Sequence, residues 1–230
     1  MPPRRTPTSD GHPVTERPEH KPPDARPLVE GTGRLEAFSD GVFAIVVTLL
    51  IIEVHLPALV GSGTPAMLAA LGEIAPKLVS FTVSFATVAI YWVNHHHFFS
   101  RVTHTDWKLL WANNLLLFWL TVVPFTTAVV GDHPTEPVAV FIYGVNLALA
   151  AGSFALMAWY VFFRGDLVSA TISYAERRRE FRKATRGAAI YLGAALIGLI
   201  APPIAILLFL ILPLAWVVPS LLDDGADDPA

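Results

Sequence analysis

The chain has no cysteine, which excludes disulfides, thiolate metal sites and a cysteine nucleophile. Charge is also scarce. Asp, Glu, Lys and Arg make up 15% of the 230 residues, where a soluble domain carries about a quarter. The small net charge of −3 gives no basis for a nucleic-acid partner. Catalytic signatures are missing too: there is no G-x-S-x-G, no P-loop and no dinucleotide fingerprint. No Ser/His/Asp set plainly shares one depth along the chain's helices. These absences leave no enzyme reading. A carbonyl filter of the TVGYG kind is absent as well.

What is present is apolar: 53% hydrophobic residues and a mean hydropathy of +0.53, gathered into long runs. A membrane span needs roughly 20 such residues. The runs predict an all-α, polytopic membrane protein with six spans, at about 36–57, 74–98, 109–130, 138–163, 187–201 and 204–222. The last two come from one uncharged stretch, 187–222, which as a single helix would be about 54 Å long. Pro202-Pro203 near its middle removes backbone donors and disfavours helix in the residue before, so two spans joined by a tight turn are expected. Residues 1–33 carry eight prolines, almost no large apolar side chain and no signal-peptide core. They read as a disordered tail. A short acidic tail, 223–230, closes the chain.

Basic residues set the orientation. Of sixteen, six lie between the N-terminus and Arg34, two in 99–108 and seven in 164–186, against only Lys77 in the connections of opposite parity. The positive-inside rule then puts both termini in the cytoplasm. The Arg-rich stretch 174–186 is expected to be an interfacial helix whose charges fix topology, in preference to an acidic-lipid or nucleic-acid patch.

Ionisable groups inside spans are costly and invite a functional reading. Span 1 holds Glu36, Asp40 and Glu53, with Arg34 at its entrance. Asp40 is too deep to reach water easily and must find a donor, whether as a pin between helices or as an ion ligand. Ile45, Thr48, Leu49 and Ile52 fall on one helical stripe, which alone fits packing as well as a pore. Glu53 could concentrate cations at an outer mouth or simply sit at the interface. Span 2 ends with Asn94 followed by His95, His96 and His97. Consecutive helical residues point about 100° apart, so the three histidines do not converge on a metal. His95 and His96 are expected instead to hydrogen-bond to span 1, with a proton-relay role open.

The first-span pattern Arg34-x-x-x-Phe38-Ser39-Asp40-Gly41 resembles the signature of the endolysosomal potassium channel transmembrane protein 175 and its bacterial homologues. Trp92-x-x-His95-His96-x-x-Phe99 in span 2 is similar to the family's second-helix pattern. Asn114 and Pro124-Phe125-Thr126-Thr127 in span 3 agree. The resemblance covers about 33–220 and implies six helices with cytoplasmic termini in the cell membrane, assembled as a homotetramer. It implies that the first helices line the pore, with Ile45 as the narrowest ring and Thr48, Leu49 and Ile52 continuing outward. Arg34, Ser39 and Asp40 would join a polar network holding spans 1 and 2. No cofactor is implied beyond the permeant potassium ion, and no partner beyond the lipid bilayer and other copies of the chain. Phe43, Val46 and Val47 are bulkier than the family pattern suggests, which would alter packing around the pore. The competing readings are a proton-coupled transporter or proton-permeable channel using Asp40 and His95, and a membrane scaffold without flux.

Overall fold

A computed structural model describes residues 31–169 and 171–223, with side chains through Pro213. The expected N-terminal tail up to residue 30 and acidic tail after Asp223 lie outside the described residues. Seven helices follow in order: α1 (Gly33–Ile52), α2 (Gly63–Glu73), α3 (Ala75–Phe99), α4 (Trp107–Asp132), α5 (Pro137–Phe163), α6 (Tyr174–Gly198) and α7 (Pro202–Asp223). Among the described residues the only β-pairing is an isolated bridge, Val102 to Val168. Among the described residues four helices, α1, α3, α4 and α5, are long and apolar enough to cross a membrane.

Local chemistry explains the boundaries. Asp106 caps α4, its carboxylate accepting from the Leu109 N–H at 2.8 Å. Pro76 and Pro137 occupy first-turn positions of α3 and α5, where no amide is missed. α1 ends at Ile52, five residues short of the expected span, with Glu53 as its C-cap; Pro57 further on disfavours helix in Leu56. α2 has no counterpart among the six expected spans; it is a short helix within the connection between the first two.

The Arg-rich stretch differs from expectation. Residues 174–186 do not form a separate interfacial helix but the first half of α6. A capping box starts this helix: the Ser173 hydroxyl accepts from the Glu176 N–H, and the Glu176 carboxylate accepts from the Ser173 N–H at 2.8 Å. Nothing between Arg186 and Gly198 stops it. The apolar part, 187–198, is therefore only about 18 Å long at 1.5 Å per residue. The break at the proline pair is where the sequence puts it: α6 ends at Gly198 and α7 starts at Pro202. Tyr191 stacks on Phe209, centroids 6.4 Å apart, and Gly198 faces Ala205, so α6 and α7 form an antiparallel hairpin.

α4 and α5 are central, and α1 packs on α3 and α4. Small residues bring α6 close to α5. A Cβ on Gly144 would stand 2.7 Å from both the Ala195 Cβ and the Phe209 ring. Close backbone approach of this kind is how helices associate where lipid removes the hydrophobic drive. At one end of the bundle the 100–106 and 164–169 connections are tied together, with the Thr103 N–H donating to the Leu167 carbonyl at 2.8 Å. At the other end Lys77 pairs with Asp132. Arg101, Lys108, Arg164 and the arginines of α6 thus share the first end, leaving Lys77 at the second.

Candidate functional site

α1 has two faces. Leu35, Ser39, Phe43, Val46 and Leu50 are buried against α3 and α4. Ile45 (59% exposed), Thr48, Leu49 and Ile52 (57% exposed) lie on the opposite side, away from the protomer's own core. Phe43 and Val46, whose bulk stands out against the family pattern, are 3% and 1% exposed and fill the protomer interior. Thr48 donates its proton back to the Ala44 and Ile45 carbonyls at 3.0 and 2.9 Å. This leaves the oxygen's remaining lone pairs turned outward, able to accept but not to donate.

The inner face is fixed by a buried polar chain. Ser39 donates to the Leu35 carbonyl one turn back at 2.8 Å. With that proton committed, the Ser39 oxygen accepts from Asn113 Nδ2 at 3.0 Å. The Asn113 Oδ1 then faces His95 Nε2 at 2.8 Å, so the imidazole donates. Ser39, Asn113 and His95 are all at most 2% exposed. The His95 ring is held between Phe43, 5.4 Å away on α1, and Phe99, 4.5 Å away on its own helix. Three helices are joined through one asparagine.

A second link lies nearer the surface. Asp40 finds the donor it needs in the Trp92 indole, whose N–H is 2.9 Å from Oδ1. His96 stacks on that indole at 6.3 Å. The structure thus redistributes the expected roles: Trp92, not a histidine, hydrogen-bonds α1 from α3, while His95 turns to α4. Phe38 is 58% exposed, and Gly41 has open space where a Cβ would stand; both lie on the outward face with Ile45. Glu53 is exposed and caps the C-terminal end of α1, with no ion pair to it among the described residues.

The structure turns Asn113 inward, whereas the family-like pattern in the sequence carries Asn114. Asn114 is exposed, whereas Asn113 is fully buried. The signal available was an Asn pair in an apolar run, which says that one of the two needs a partner without saying which. Deeper in the bundle a separate polar cluster links α3, α4 and α5: Ser84 meets the hydroxyls of Thr127 and Tyr143 at 2.7 and 2.9 Å.

Comparison with known proteins gives one consistent family. The model of the endosomal/lysosomal potassium channel TMEM175 family matches residues 34–124. A potassium channel of Chamaesiphon minutus is 44% identical over 123 residues, covering 52% of this chain and 61% of that one. The match therefore spans less than two thirds of that relative's length. A potassium channel of Streptomyces collinus is 38% identical over 140 residues, covering 59% of this chain and 67% of the other. The crystal structure of a lysosomal potassium-selective channel TMEM175 homolog from Chamaesiphon minutus superposes with a TM-score of 0.73 at 31% identity, covering 82% of this chain and 97% of that one.

Proposed function

The chain belongs to the endosomal/lysosomal potassium channel TMEM175 family, and on that footing we propose that it is a potassium-selective cation channel of the cell membrane whose pore is lined by α1. Four copies surround an axis, each turning Ile45, Thr48, Leu49 and Ile52 toward it. The six-span topology, with both termini in the cytoplasm, goes with this reading. The concentration of basic residues at one end of the bundle supports that orientation.

The observation that carries the proposal is the division of α1. The ridge from Leu35 to Leu50 is spent on the protomer, and the chain Ser39–Asn113–His95 locks the helix's rotation. The apolar stripe through Ile45 is consequently presented outward at a fixed angle. Four isoleucines meeting on an axis make a dry constriction, because their walls replace none of water's hydrogen bonds. Closed, the ring blocks ions by dewetting. Open, it makes a cation shed part of its shell. Potassium holds its water less tightly than sodium and passes more readily. Thr48, one turn on, offers a hydroxyl oxygen as partial replacement.

The proton-relay alternative finds less support. Asp40 and His95 take separate partners, Trp92 and Asn113, and an amide in the middle of a chain holds a proton without handing it on. Flux of potassium, sodium and protons from proteoliposomes tests the proposal. Wild-type protein is expected to release potassium faster than sodium. Ile45→Asn is expected to wet the ring and bring the two rates together. Saturable flux driven by a pH gradient, or an unchanged preference in the variant, would overturn it.

A further inference from the structure

A cavity of about 330 Å³ opens away from α1. α3 and α6 form its walls and α5 its floor. Its interior is mainly apolar and aromatic, with Phe98, Phe154, Phe162 and Tyr191 among its lining, and Asn94 and His97 of α3 line it as well. Its mouth is charged. Arg101 and Lys183 both reach the same oxygen of Glu180, each at 3.2 Å, so two cations share one carboxylate and the mouth keeps one unit of positive charge.

The depth of that mouth is set independently by aromatic residues. Exposed Trp107 and Trp111 at the start of α4, Trp159 near the end of α5 and Tyr174 at the start of α6 lie at the same end of the bundle. Arg164 sits over the Trp159 ring at 5.4 Å. Such a girdle of amphipathic rings marks headgroup level. The cavity therefore has its cations among headgroups and its apolar interior at acyl-chain depth.

We infer that the cavity between α3, α5 and α6 binds an anionic membrane phospholipid, its headgroup phosphate against Arg101 and Lys183 and one acyl chain along Phe98, Phe154 and Phe162. Basic pockets between membrane helices take anionic headgroups in this way. The volume is within the range of about 300–1,000 Å³ typical of small-molecule sites. Occupancy would fasten α6, whose apolar half is short for a span, to α3. This inference rests on the membrane reading but not on conduction through α1.

Native mass spectrometry of the full-length protein in detergent, with phosphatidylglycerol, phosphatidylcholine or palmitate added at equal concentration, tests it. Phosphatidylglycerol is expected to be retained over phosphatidylcholine by at least about fivefold. Arg101→Gln with Lys183→Gln is expected to abolish that preference. Glu180→Gln, which leaves two uncompensated cations, is expected to increase it, and so gives the opposite sign should the double variant not fold. Ala184→Phe, which fills the groove and keeps every charge, is expected to lose the bound lipid. Equal retention of the two phospholipids, a preference that survives the double variant, a decrease with Glu180→Gln, lipid retained by Ala184→Phe, or displacement of phosphatidylglycerol by equimolar palmitate would each overturn it. Loss of bound phospholipid from a protein that still conducts potassium would sink this site alone; absence of flux with the lipid preference intact would sink only the channel reading.

Discussion

Asn113 and Asn114 differ by one position and by everything that matters to the bundle. The first donates to Ser39 and accepts from His95; the second faces outward. Replacing Asn113 with Leu strands a buried imidazole N–H and a serine lone pair, each costing about 1–3 kcal/mol. Asn114→Leu removes no buried bond and is expected to be close to neutral. Thermal melting of the two variants in the same detergent checks this, and equal melting temperatures would remove Asn113 from its role. The motif pair contains Ser39, Asp40, Trp92 and His95 but does not say which of them bonds with which. Neighbouring helical positions point about 100° apart, so which of two asparagines, or which of three histidines, turns inward depends on helices elsewhere in the chain.

At the scale of the element, α6 shows how a start signal and a stop signal define a helix regardless of composition. Ser173 and Glu176 begin it and the turn before Pro202-Pro203 ends it, with an abrupt change from arginines to alanines between. The Ser173 hydroxyl and N–H donate to the Glu176 carboxylate and hold it below its ordinary value of 4.5. The group's folded value is depressed, so its contribution is full above the unfolded value and is lost as pH falls through the folded one. The protection of amides 176–178, taken against their intrinsic exchange rate at each pH, should therefore fall in acid, and Glu176→Gln should flatten that pH dependence. Hydrogen exchange of the first turn measures both. Where α6 meets α5, Gly144→Val puts carbon within 3 Å of Ala195 and Phe209 and is expected to cost about 1–3 kcal/mol through overpacking, read as a lower melting temperature. The proline pair and the apolar runs were visible in the sequence. The union of the basic stretch with the fifth apolar run was not, because charge content reports solvent contact and not helix continuity.

For the whole molecule, the absence of cysteine makes single-cysteine variants clean reporters of assembly. Ile52→Cys on the outward stripe is expected to cross-link between copies under mild oxidation, giving a dimer band on a denaturing gel. Val46→Cys, 1% exposed within the protomer, is expected to stay monomeric under the same conditions. Cross-linking at Val46 and none at Ile52 would mean that α1 meets its neighbours through another face. What the sequence determined by itself was the solvent: composition and run length place this chain among membrane helices, and the Arg34-to-Gly41 pattern resembles that of the family to which the chain belongs. Tertiary structure decided the rotation of each helix about its own axis. From Gly41 to Ile52 every residue of α1 except Thr48 is apolar, and in lipid an apolar stripe carries no energetic preference for inside over outside. A few hydrogen bonds settle the matter, and these exist only once α3 and α4 stand beside it.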